Sequence, residues 1–124
     1  MSIYYHLQEF NDLLWATPVP IIVMINSQMA KLRLKGNCAV IVIEPNKLQE
    51  QAPDSKALLS QVRSTLVSAA TDMVINTSRK VSKVSELSTM KIELANSLQS
   101  QVVSRFEELG LRINRLEIQS IEEV

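Results

Sequence analysis

Gly110 separates two segments whose apolar residues repeat with different periods. Before it, Leu87, Met90, Leu94, Leu98, Val102, Phe106 and Leu109 recur almost every four residues, the spacing of one helical face. After it, Leu111 to Ile121 reads as a strand. Leu111 and Ile113 share one face of it, and Leu116 and Ile118 are displaced by one residue, so a bulge is expected near Asn114 and Arg115. A glycine suits this junction because a helix C-terminus commonly ends on a residue in the left-handed conformation. The chain must therefore build a joint in which a long helix stops and a strand begins.

Upstream, the periodicity alternates between strand and helix. Residues Tyr4 to Trp15 place Leu7, Phe10, Leu13 and Leu14 near helical spacing, which predicts a short amphipathic helix or an ordered arm. Thr17-Pro18-Val19-Pro20 breaks it. Ile21 to Ile25 is a strand candidate and Asn26-Ser27 a turn. Met29 to Lys35 alternates, with Ala30, Leu32 and Leu34 on one face and Lys31, Arg33 and Lys35 on the other. Gly36-Asn37 marks a turn or a bulge, and Cys38 to Ile43 is apolar on both faces, as a central, covered strand would be.

Glu44-Pro45-Asn46 ends that strand, and Lys47 to Gln51 predicts a helical turn closed by Pro53. With Asp54 or Ser55 as N-cap, Leu58, Leu59, Val62, Leu66, Ala69, Ala70 and Met73 predict an amphipathic helix to about Asn76. Thr77 to Ser85 is the connection, and Ser85 caps the next helix. The fold class expected is α+β: a small, mostly antiparallel sheet covered on one face by two long amphipathic helices, closing with a C-terminal strand.

Composition removes several classes of function. Thirteen basic and thirteen acidic residues cancel in 124, so nothing steers the whole chain toward nucleic acid. The one cysteine, Cys38, has no internal partner, which fits a reducing compartment, and its apolar neighbours make it a buried hydrophobe rather than a reactive thiol. The first seventeen residues carry no Lys or Arg, so no secretory signal is read there. The apolar stretch Val19 to Ile25 is too short to span a membrane, and a soluble, cytoplasmic chain with at most peripheral membrane contact is expected.

Catalytic and metal chemistry find no support. One His, His6, and one Cys cannot make a zinc or iron–sulfur set, so no metal and no cofactor is expected. No Gly-x-Ser-x-Gly elbow occurs, and two glycines cannot form a phosphate-cradling loop. The adjacent carboxylates Glu107-Glu108 and Glu122-Glu123 read as solvated. Two features point instead to contacts. Lys31, Arg33 and Lys35 form a basic strand face that is either simply solvated or docks an anionic lipid surface or acidic partner. The second basic cluster, Arg79, Lys80 and Lys83, has no interleaved aromatics, which argues against single-stranded nucleic acid. The N-terminal aromatic segment must dock on its own domain, on a neighbour or on a membrane, and Tyr4, Phe10, Leu14 and Trp15 are its candidate assembly contacts.

From about Pro20 to the end the chain resembles the second half of the stomatin/prohibitin/flotillin (SPFH, band 7) domain. Met29 to Pro45 is similar to the paired strands that end in an acidic-Pro turn, Val62-Arg63-Ser64-Thr65-Leu66 to the arginine-bearing start of the first long helix, and Leu94 to Ile121 to the closing helix, glycine and strand. The resemblance divides the chain into an N-terminal aromatic helix or arm, 1–19, and an SPFH-like domain, 20–124. It implies a non-enzymatic scaffold that assembles side by side with its own copies at membranes and organises partner proteins. A binding or accessory module of a hetero-complex is the alternative, and it predicts a chain that behaves poorly when expressed alone.

Overall fold

A computed structural model of the chain describes residues 9–44, 46 and 55–124. The elements run β1 (Glu9–Ala16), β2 (Ile21–Ile25), β3 (Gln28–Val42), α1 (Ser55–Ser78), α2 (Val84–Thr89), α3 (Lys91–Glu108) and β4 (Leu111–Glu123). The four strands form one antiparallel sheet centred on β3, with helices packed on one face and β4 closing the chain, an α+β fold. The helical turn expected at Lys47–Gln51, Pro53 and the Asp54 cap lie outside the described residues, as do Tyr4 and His6.

β3 serves three partners. β2 returns onto its first residues through a two-residue turn, Asn26-Ser27, whose positive φ values of 52° and 66° match the twist of a tight hairpin. β1 pairs with Lys35 to Ile41 and β4 with Leu32 to Val42. Because β1 and β4 share partners on β3, they occupy its opposite edges. The gap between β1 and β2 falls at Leu34, where Thr17 substitutes for a strand. Its backbone N–H donates to the Leu34 carbonyl at 3.0 Å, and its Oγ1 accepts the Leu34 N–H at 3.1 Å. The Thr-Pro break thus leaves no orphaned donor in the middle of the sheet.

Three sequence expectations need correction. Residues Glu9–Ala16 form a strand, not a helix. Its register slips between Phe10, opposite Val40, and Leu13, opposite Cys38, with Asp12 at φ 58°. The extra residue puts Phe10, Leu13 and Trp15 on one side, and the resulting three-residue step imitates a helical period. Of the turn or bulge expected at Gly36-Asn37, the turn is absent, since β3 runs unbroken for 15 residues, and the bulge is present as a register shift against β4 between Lys35 and Gly36. The helix expected from Ser85 to Leu109 is two, interrupted at Met90 (φ −100°, ψ 14°), and its first cap is Lys83, with the Glu86 carboxylate accepting the Ser82 N–H at 3.3 Å. A one-residue break keeps Leu87 and Leu94 on the same buried side, so periodicity alone does not register it.

The bulge expected near Asn114-Arg115 is present: Ala39 and Val40 pair with Arg115 and Ile113, skipping Asn114. A second bulge skips Gln119. Between the bulges and beyond them β4 keeps Leu111, Ile113, Leu116, Ile118 and Ile121 buried. These residues meet α3 through Leu94, Leu98, Val102 and Phe106, while α1 covers β1 and β2 with Leu58, Val62, Leu66 and Met73. Each fully buried Leu or Phe contributes about 1.5–3 kcal/mol by leaving water, so the helical layer and the sheet depend on one another.

Candidate functional site

Among the described residues, the helices cover one face of the sheet and leave the other open. On β3 the open face carries Lys31, Arg33 and Lys35, all exposed, while Ala30, Leu32 and Leu34 are buried, as the alternation requires. Arg33 stands opposite Glu122 of β4, whereas Lys31 stands opposite Ile22 of β2 and Lys35 between Ala16 and Ser120. Two of the three cations therefore have no carboxylate directly across the ladder. Exposed apolar side chains flank the basic row: Leu14 (61%), Ile22 (57%), Met24 (56%) and Met29 (63%). Leu14, Ile22 and Met24 border the row on the β1–β2 side, Met29 heads it on β3 itself, and acidic Glu117 and Glu122 lie on the β4 side.

Farther along the same face the surface closes. Arg115 reaches across β3 to Asp12 of β1 at 3.0 Å and also meets Glu117 at 3.3 Å. Its partner in the ladder is Ala39, which is buried without belonging to the helix-covered core. The apolar character of Cys38 to Ile43 on both faces thus has two causes. Helices cover one side, and charged side chains roof a small residue on the other. Such an exposed bridge contributes little to stability, ~0–1 kcal/mol, and its role is to hold the bulged part of β1 in register.

The candidate contact residues at the N-terminus separate. Trp15 is 2% exposed and sits in the protein's own core, its Nε1 donating to the Asn37 carbonyl at a long 3.4 Å. Phe10 is half-buried against that core. Leu14 is the exposed one, and its carbonyl accepts the Arg63 Nε–H at 2.9 Å. Arg63 was legible only as part of a helix start; its reach to β1 ties α1 to that edge. A shallow groove beside it, about 520 Å³, is lined by Leu14, Trp15, Lys35, Gly36 and Arg63. Among the described residues no group of three potential metal ligands converges.

Cys38 is fully buried between β1 and β4, and burial pushes its thiol up to about 11, against a smaller opposing pull from Arg115 and Arg63. A raised folded-state value means that burial of the neutral thiol stabilises fully below the ordinary thiol value of 9.0 and progressively less as pH rises toward 11. The native protein should react negligibly with a disulfide reagent at pH 8 and stoichiometrically once unfolded in urea. Its urea midpoint should fall between pH 9 and 11, and a Cys38→Ala variant should lose the thiol part of that slope. Rapid labelling of folded protein would contradict the burial.

The profile of the SPFH domain-Band 7 family matches residues 2–123. The chain belongs to the SPFH domain-Band 7 family. The match begins well ahead of Pro20, so it takes in β1 and the bulge at Asp12. No curated protein matches the chain at a significant level. Members of the family are in general membrane-associated, non-enzymatic scaffolds. In this SPFH domain no helix among the described residues is long and apolar enough to cross a membrane.

Proposed function

We propose that this SPFH domain is a non-catalytic scaffold or assembly subunit that associates with its own copies and organises partner proteins, working from the cytoplasm as a peripheral component at a membrane surface. The observation that carries this reading is the open sheet face. A stable domain of this size ordinarily hides contiguous apolar surface, and here Leu14, Ile22, Met24 and Met29 stay exposed beside Lys31, Arg33 and Lys35. Apolar side chains beside a basic row suit the boundary of an anionic bilayer, where each Lys or Arg near the surface contributes ~1 kcal/mol.

The charge-reversed variant Lys31→Glu/Arg33→Glu/Lys35→Glu should lose at least ~3 kcal/mol of that attraction, roughly a hundredfold in partitioning onto phosphatidylserine vesicles at low salt. All three side chains are exposed, so the fold should survive and circular dichroism should be unchanged. Equal co-sedimentation of the variant and the parent would remove the basic row from the membrane reading. Self-association is read separately, as the mass of the parent chain by light scattering at two concentrations. A multiple of 13.9 kDa is expected, and a monomer at both would favour the accessory module of a hetero-complex instead.

A further inference from the structure

Among the described residues the edges of β1 and β4 each carry side-chain contacts and bulges. On β4, the Ile121 carbonyl accepts Ser88 Oγ at 3.2 Å and the Gln119 carbonyl accepts Lys91 Nζ at 3.4 Å, while two bulges break the ladder's regularity. On β1, Arg63 takes the Leu14 carbonyl. Cations and bulges of this kind are how sheets prevent strand addition. β2 has neither. From Leu13 to Ala30 the chain carries no charged residue, although 26 of its 124 residues are charged.

The register says which groups are open. Ile25 and Gln28 flank the two-residue turn and form its hydrogen-bonded pair; Ile22 and Lys31 are therefore a non-hydrogen-bonded pair. The Lys31 carbonyl agrees, since it points the other way and accepts the Val124 N–H at 2.8 Å. The backbone N–H and C=O of Ile22 and Met24 consequently face outward and, among the described residues, have no partner.

We propose that the β2 edge is the assembly contact, and that its occupant is β2 of a second copy, antiparallel and symmetric about Val23; this rests on the self-association read above. In that register Ile22 pairs with the partner's Met24 and Met24 with the partner's Ile22, and each pair exchanges two backbone hydrogen bonds. A neutral edge meets a neutral edge without repulsion. The two basic rows fall on the same face, three strand spacings or about 14 Å apart. That exceeds the ~8 Å screening length at physiological salt, so their mutual repulsion is small. The pair then presents one surface, with the apolar side chains Ile22 and Met24 of both copies at its centre and basic flanks on either side. A five-residue edge makes a small contact, so the association is reversible and concentration-dependent.

The test uses Met24→Pro and Met24→Lys. The Met24 N–H points away from β3, so proline removes only the donor offered to the partner and is tolerated on an edge; lysine adds like charge to both sides of the contact. Far-ultraviolet circular dichroism and Trp15 emission confirm folding of each. The expected result is a concentration-dependent parent mass that falls at least twofold in both variants. A parent that is monomeric at every concentration overturns self-association and this contact together. A parent oligomer whose mass is unchanged in folded Met24→Lys and Met24→Pro overturns the β2 contact alone.

Discussion

Gly36→Val should destabilise the protein by about 3 kcal/mol or more, a large share of the 5–15 kcal/mol that holds a domain together. A Cβ at this position would overlap the backbone carbonyl oxygen of Glu117 and lie 2.9 Å from Cζ2 and 3.0 Å from Cε2 of Trp15. Neither neighbour can give way cheaply. The carbonyl belongs to β4, whose register at this point is already set by the bulge at Gln119. The indole is buried at 2% exposure and packs over the glycine from β1. Gly36 is thus the place where three strands and an aromatic ring meet at backbone distance. Trp15 is the single tryptophan, so its emission reports the site directly. The expected result is a lower urea midpoint and a red shift of the native spectrum. A midpoint within the error of the parent and an unshifted spectrum would mean that the packing described around Gly36 is wrong.

Gly110→Val should cost about 3 kcal/mol for two separable reasons. Gly110 has φ +87°, which a β-branched residue adopts only under strain. Its added Cβ would also overlap the Glu44 carbonyl oxygen and approach Glu44 Cβ at 3.3 Å. The same residue receives the chain as it leaves β3, where the Ile43 and Glu44 N–H groups donate to the Gly110 carbonyl at 2.8 and 3.1 Å. Asparagine tolerates positive φ but still carries a Cβ. Chemical denaturation should therefore rank the chains parent, Gly110→Asn, Gly110→Val, with asparagine recovering about 1 kcal/mol of the loss. If asparagine and valine are equally damaging, the collision with Glu44 dominates; if asparagine equals the parent, the described approach to Glu44 is absent.

Hydrophobic period encodes some of these features and is silent on others. Alternation from Ala30 to Lys35 was legible because a strand with one covered face must alternate, and Lys31, Arg33 and Lys35 lie on the open side as the pattern demands. The bulge at Asn114 was legible because it shifts the apolar phase of β4. The bulge at Asp12 was not, since in a short segment its three-residue step has the spacing of a helix. The interruption at Met90 leaves the apolar stripe in phase and so leaves no trace in it.

The contact surface was half legible. A basic row on β3 can be read from a single strand. Met29 shares that row by the same alternation, but the apolar border beside it cannot be read, because Leu14, Ile22 and Met24 are apolar residues in apolar segments and sequence does not say that they, rather than Trp15, Val23 and Ile25, take the open face. Only pairing settles which of these face solvent.

The α+β class, the helix–glycine–strand joint at Gly110 and the two faces of β3 follow from local periodicity and backbone preference, which neighbouring residues carry on their own. Long-range pairing accounts for the rest: that residues 9–16 are a strand, that Thr17 bridges the break, that Arg63 and Ser88 contact the edges of β1 and β4, and that, among the described residues, the β2 edge is open. Those outcomes depend on hydrogen bonds and contacts between residues far apart in the chain. Such partners leave no period in the sequence, since the groups they satisfy are backbone groups that every residue carries.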